Sequence, residues 1–168
     1  MGSQFTKGLQ MIDVDQEIKT VPGIKFVDHI AIVVKHGDLD NQVRAYELMG
    51  FREIHREEIS GCDQVREALL AIGDGTNLIQ LLEPLSPDSP IQKTIDKNGG
   101  RPGFAHIAFR VESAQRAFDT MRSQGFQIID KAPRAGSRGT TVFFVHPKSR
   151  RDNPVGVLFE IVEAPENK

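Results

Sequence analysis

The chain has 168 residues, enough for one compact domain or two very small ones. Its formal net charge of -2 gives no electrostatic reason to expect nucleic acid or an anionic membrane as partner, and no apolar run approaches the roughly 20 residues of a membrane-spanning helix. The first residues lack a signal-peptide pattern, and the one cysteine, Cys62, excludes an intrachain disulfide, so a reducing, cytoplasmic setting is expected. Cys62 has no paired base nearby in sequence and reads as an ordinary thiol rather than a nucleophile.

In chain order, residues 1–24 show no periodicity and read as an N-terminal extension, with Met1-Gly2-Ser3 a vector-derived remnant. Residues 27–34 are rich in β-branched side chains and predict a strand. Asp38 is placed to cap a helix over 39–49, with Leu39, Val43 and Tyr46 on one stripe, and Gly50 ends it. Strands over 51–59, 65–72 and 77–82 follow, broken by Ser60-Gly61 and Gly73-Asp74-Gly75. A turn-rich link, 85–102, holds a short helix over 90–97. Then come a strand over 104–111, a helix over 113–124 with Ala114, Ala117, Phe118 and Met121 on one face, and strands over 126–129, 140–146 and 155–162.

The order strand, helix, three strands thus occurs twice, and the residues repeat with it. His29-Ile30-Ala31 returns as His106-Ile107-Ala108, 77 positions on. Gly50-Phe51 returns as Gly125-Phe126, and Gln80 in Ile79–Pro84 corresponds to Glu160 in Phe159–Pro165, 80 positions on. The expected organisation is one domain over 25–166, built of modules 26–84 and 103–163.

Side chains alternate along a strand, so His29 is expected to share a face with Val27, Ala31 and Val33, and His106 with Phe104 and Ala108. Gln80 and Glu160 likewise fall among apolar neighbours. A buried carboxylate such as Glu160 needs a cation or strong donors, and two imidazoles, a carboxylate and an amide oxygen form a metal-ligand set. Each residue alone carries little; both modules placing a His in the first strand and an oxygen ligand in the last carries the reading. Glu67 either points into the same cup or sits on its rim, paired with Arg66 or Arg56. His36, His55 and His146 read as loop or surface residues.

At these positions the sequence resembles the vicinal oxygen chelate, or glyoxalase-like, superfamily, and within it the methylmalonyl-CoA epimerases. The likeness spans nearly all of 26–163 and is strongest at Val65–Leu70, Ile79–Pro84, Ser86–Ile91, Phe104–Ala108, His146–Ser149 and Gly156–Glu160. It implies an α+β fold in which two tandem βαβββ modules form a cup-shaped mixed sheet around a metal site. It implies His29, Gln80, His106 and Glu160 as ligands of one divalent ion per domain, cobalt favoured, with manganese, nickel or zinc compatible. Glu67 and Glu160 match the two bases that would interconvert 2R and 2S methylmalonyl-CoA, or a related acyl-CoA, through a metal-stabilised enolate. It also implies a homodimer with a small-molecule acyl-CoA substrate.

Lys148 and the 133–139 loop, with Arg134, Ser137 and Arg138, are candidates for holding the substrate carboxylate or CoA phosphates; the alternative is a solvated basic turn. The chain departs from the epimerases in a longer 35–41 segment, an insertion at Arg150–Pro154 and the N-terminal extension; the two loop changes bear on the acyl group more than on the metal. The alternative functions are another metalloenzyme of the superfamily, a glyoxalase-type isomerase or lyase or a dioxygenase, and a non-catalytic small-molecule-binding protein. Gln80 as a fourth ligand argues against the dioxygenase, which needs open iron positions.

Overall fold

The computed structural model describes residues 20–150 and 154–165, so residues 1–19 of the expected 1–24 extension and Arg151–Asn153 of the expected insertion lie outside the described residues. The elements are β1 (Phe26–Val33), α1 (Leu39–Leu48), β2 (Arg52–Ile59), β3 (Val65–Ala71), β4 (Leu78–Pro84), α2 (Gln92–Lys97), β5 (Gly103–Val111), α3 (Ala114–Ser123), β6 (Arg134–Ala135), β7 (Thr141–Val145) and β8 (Phe159–Glu163), with a 3-10 turn over Ser137–Gly139. All strands join one mixed sheet in the order β2-β3-β4-β1-β5-β8-β7-β6. β1 pairs with β4 in parallel, β5 pairs with β8 in parallel, and the antiparallel β1–β5 pair joins the two halves. This is the expected α+β architecture of two βαβββ modules in a curled sheet.

The curl follows from contacts between the sheet's ends. Flat, eight strands at about 4.8 Å spacing would hold their edges more than ~30 Å apart. Yet the Arg138 amide, in the turn between β6 and β7, donates to Glu57 Oε2 on β2 at 3.1 Å. Arg134 on β6 likewise binds both oxygens of Asp63 in the β2–β3 loop at 3.0 and 3.1 Å.

The helices cover the outer face, one per half. α1 packs Leu39 and Val43 on Ala68, Leu70 and Leu81; α3 packs Ala117, Phe118 and Met121 on Phe143, Val145 and Ile161. Burying each large apolar side chain here contributes about 1.5–3 kcal/mol. Gly50 and Gly125 follow the helices with φ of 97° and 80°, a backbone conformation that a Cβ disfavours.

The helix starts depart from expectation. Asp38 makes no cap to the backbone; its carboxylate accepts from the Asn41 and Gln42 side chains. Glu83, at the end of β4, instead accepts from the amides of Gly37 and Leu39 at 3.0 and 2.8 Å. In the other half Glu163, at the end of β8, accepts from the Ala114 amide at 2.7 Å, while Ser113 accepts from Arg116. The repeat therefore extends to a strand-borne glutamate holding the following-layer helix at its electropositive end.

The expected strand over 126–129 is a second correction. It is reduced to one bridge, Ile128 to Val145, and on the edge away from β8 the ladder partner of β7 is the two-residue β6. The Asp130 side chain accepts from the Phe144 amide at 2.7 Å, taking a donor that a longer neighbouring strand would have used.

Candidate metal centre and active site

Two irregularities in the central strand pair shape the site. The β1–β5 register shifts between Val27 and His29 and again between Ala31 and Ile32. At the first shift Asp28 is buried alongside His29, so Asp28 and not Val27 is the companion of that imidazole. At the second, Phe104 pairs with Ile32 and is 46% exposed, so the expected common face of Phe104 and His106 is broken. β-bulges re-aim side chains in this way.

Between the shifts the register has an internal two-fold pattern. Ala31 pairs with Gln80 on one side and His106 on the other; Ala108 pairs with Glu160 on one side and His29 on the other. Small residues at 31 and 108 leave room above them for the larger polar groups. His29 Nε2 and His106 Nε2 lie 3.2 Å apart, and each is 3.0 Å from Glu160 Oε2. All three side chains are buried. Gln80 is buried too, lines one cavity with His106 and Glu160, and leaves Oε1 with no hydrogen-bond partner.

This donor set fits a divalent cation. The ligating atoms of His29, His106 and Glu160 lie within 4.8 Å of one another, and the orphaned Gln80 oxygen is a buried acceptor that a cation would satisfy. His29 Nδ1 is engaged by Asp28 Oδ1 at 2.8 Å, which leaves Nε2 for an ion, the usual carboxylate–histidine arrangement behind a metal. Asp28 is in turn held by Arg110, through two contacts to Oδ2, and by Arg138.

The charges are set by competition between burial and partners. Burial opposes a charge on His29, but Asp28 and Glu160 outweigh it and raise its pKa to about 9. Burial also opposes ionisation of Glu160, and the two imidazoles overcome it, bringing its pKa to about 2. Asp28, despite burial, is held well below the usual carboxylate range by His29 and the two arginines. Glu67 goes the other way: burial pushes its pKa up, and the neighbouring Ser137 and Gln80 only partly offset this.

Glu67 is 1% exposed and points inward, not to the rim. The arginines considered for it are engaged elsewhere, Arg66 with Glu83 and Arg56 with Glu53 and Asp40. Gln80 Nε2 donates to Glu67 Oε2 at 2.7 Å, while Oε1 makes no hydrogen bond and faces His55 Nε2 at 3.8 Å. His55, read from sequence as a surface residue, thus stands beside Glu67 with Glu57 at 3.1 Å.

The cavity measures about 280 Å³ and is walled by apolar groups including Ile59, Leu82, Pro90 and Ile91, with Ser137 and Arg134 also on its lining. Arg134 is bound by Asp63 and by Asp130, whereas Arg138 gives Nη2 to Asp28 and leaves its buried Nε without a hydrogen-bond partner. Lys148 is exposed, is not part of the cavity lining, and has no carboxylate partner among the described residues. Sequence reasoning missed Asp28, Arg110 and Asp63. The Asp28-His29 dipeptide was a signal, but strict alternation assigned Asp28 to the outer face.

A curled eight-stranded sheet of paired βαβββ halves with a His, His, Glu cluster at its centre defines a class, and the comparisons agree with it. The model of the Glyoxalase/Bleomycin resistance protein/Dioxygenase superfamily matches residues 28–144, and the chain belongs to that superfamily. The crystal structure of methylmalonyl-CoA epimerase from Mycobacterium tuberculosis is similar with a TM-score of 0.76 and 34% identity, covering 88% of this chain and 93% of that one. A Streptomyces coelicolor methylmalonyl-CoA epimerase variant in complex with 2-nitronate-propionyl-CoA gives 0.73 and 36%, covering 84% and 98%. The mitochondrial methylmalonyl-CoA epimerase of Homo sapiens is 27% identical over 153 residues, 89% of this chain and 80% of that protein.

Proposed function

We propose that the chain is an isomerase, a divalent-metal-dependent epimerase that interconverts the 2R and 2S forms of methylmalonyl-CoA or a closely related acyl-CoA. The observation that carries this reading is Glu67: a buried carboxylate with one free oxygen, hydrogen-bonded to Gln80 and lifted in pKa, beside the His29–His106–Glu160 cluster. A carboxylate shifted toward neutrality suits a base that takes a carbon-bound proton and returns it. The likeness to epimerases bearing acyl-CoA ligands supports the substrate class.

In this reading His29, Gln80, His106 and Glu160 hold one divalent ion, cobalt favoured and manganese, nickel or zinc compatible. Bound there, the ion supplies positive charge that stabilises negative charge on a thioester oxygen. Glu67 removes the α-proton from one epimer and ends protonated, while Glu160, entering that direction in its protonated form, gives its proton to the opposite face and ends ionised; for the other epimer Glu160 is the base and Glu67 the acid. The depressed pKa of Glu160 supports its part as ligand first, and Ser137 beside Glu67 supports a role in holding the substrate. Ile59, Leu82, Pro90 and Ile91 limit access of water to the reacting carbon. Of the three candidate cations, Lys148 is the one without a carboxylate partner among the described residues, which supports a meeting with a CoA phosphate.

The reading further takes 25–166 as one catalytic domain of modules 26–84 and 103–163, with 1–24 an extension, working in the cytoplasm as a homodimer. Ile30, Ile32 and Phe104 support the pairing: they adjoin on the outer face of the central strands, and Ile30 and Phe104 are 37% and 46% exposed. No described helix is long and apolar enough to cross a membrane. The test is incubation of the metal-loaded protein with one epimer of methylmalonyl-CoA in deuterated water. Deuterium at the α-carbon together with the other epimer is the expected result; an α-carbon that keeps its proton and configuration overturns the reading.

A further inference from the structure

Arg138 reaches from the far edge of the sheet to its central strand. Its Nη2 donates to Asp28 Oδ1 at 2.9 Å, and the same oxygen engages His29 Nδ1 at 2.8 Å. Arg110 holds the other carboxylate oxygen, so all of Asp28 is fixed between two guanidiniums and an imidazole. The Arg138 amide meanwhile donates to Glu57 Oε2, the atom that lies 3.1 Å from His55 Nε2, and His55 faces Glu67. Ser137, one residue earlier, lies beside Glu67 and lines the cavity. One short turn therefore touches the surroundings of both the candidate ligand His29 and the candidate base Glu67. Arg138 holds φ at 55°, a conformation disfavoured for a residue with a Cβ and kept here by contacts at both its backbone and its side chain.

The guanidinium stands outside the lining of the main cavity. The cavity walled by Gln80, His106 and Glu160 does not include Arg138; a separate recess with Asp28, Arg110 and Arg52 does. Its Nη2 is taken by Asp28, a carboxylate it shares with Arg110 and His29.

We propose that Arg138 is a positioning residue for the metal centre and not an anion-holding residue. It fixes the Asp28 carboxylate, Asp28 fixes the His29 ring with Nε2 toward the ion, and the same turn carries Ser137 to Glu67. The strength of the metal site is thereby tied to the placement of the cavity loop. This rests on the proposed reading of His29 as a ligand, and not on the identity of the substrate.

The test measures cobalt affinity of the whole chain by competition with a chelator, for the wild type, Arg138→Met, Arg138→Lys, Asp28→Asn and the Arg138→Met/Asp28→Asn double variant. Loss of a group behind a metal ligand weakens binding about 10- to 100-fold, so Arg138→Met is expected to do so, with Arg138→Lys restoring part of it. The double variant is expected to be no weaker than the weaker single one, because both act through one carboxylate. The KM for methylmalonyl-CoA is expected to stay near the wild-type value once the ion is saturating.

Unchanged cobalt affinity in Arg138→Met overturns the proposal, whether KM rises, as for an anion holder, or stays the same. Losses that add in the double variant overturn it as well. If Arg138→Met does not fold, the comparison of Arg138→Lys with Asp28→Asn decides on the same affinity scale. A wild type that binds no cobalt removes the ligand reading and this proposal with it, whereas a protein that binds cobalt but fails to epimerise leaves the proposal standing and sinks only the substrate.

Discussion

Glu67 and Glu160 are two glutamates of one cup with opposite electrostatics. Burial without a cationic partner at hydrogen-bond distance lifts Glu67, while two imidazoles at 3.0 Å hold Glu160 ionised against its burial. The shapes of the two carboxylates are alike, so their partners assign their parts. Glu67→Gln keeps the volume and the contact with Gln80 but removes the base. Its kcat for epimerisation is expected to fall about 10²- to 10⁴-fold, the usual contribution of a positioned base, with metal content unchanged. Equal kcat in the variant, measured beside elemental analysis of the same preparation, would remove Glu67 from the chemistry. At this scale the sequence named the two histidines, Gln80 and both glutamates, because a polar residue in an apolar strand is visible as a pattern. It did not name Asp28, since the bulge that turns Asp28 inward depends on pairing between strands 77 positions apart.

Among the elements, α1 and α3 are held at their starts by glutamates from the ends of β4 and β8. Glu83 is 3% exposed and accepts from two amides and from Arg66, whereas Glu163 accepts from one amide among the described contacts. Removing a buried charged acceptor costs about 1.5–3 kcal/mol, so Glu83→Ala is expected to lower unfolding stability by roughly that amount in denaturant titration, and by more than Glu163→Ala. Burial would raise the Glu83 pKa, but the Gly37 and Leu39 amides and Arg66 outweigh it and lower it from its ordinary value of 4.5. A carboxylate whose folded pKa is depressed stabilises the fold above its unfolded pKa, and that stabilisation is lost as pH falls through the folded value. Wild type should therefore lose stability below about pH 4.5 to a greater extent than Glu83→Ala, whose curve lacks this component. Parallel pH profiles of the two proteins would contradict it. Element order was legible from periodicity and glycines, and the helix boundaries fell within a residue or two. The 126–129 segment departs from the expected strand because its apolar alternation fits a strand equally well when a side chain, Asp130, supplies the ladder acceptor.

For the whole molecule, duplication does the work of assembly. Two copies meet through β1 and β5, and the antiparallel register sets each histidine diagonally across from the other and beside an alanine that separates it from the partner half's oxygen ligand. Neither half contains the cluster alone: His29 comes from the first, His106 and Glu160 from the second, and Gln80 from the first. That convergence was legible from three near-equal spacings in the sequence, though the contacts that bring the sheet's ends together, the Asp63–Arg134 ion pair and the Arg138 amide on Glu57, were not, because no repeat or local motif marks them. On the proposed function, this pairing builds one metal site per chain. Elemental analysis of protein loaded with cobalt and desalted measures it directly. One ion per chain in the wild type and in Glu67→Gln, with the ion lost in His106→Ala, is the predicted result; a wild type that retains no ion, or a His106→Ala variant that retains it in full, would contradict the account.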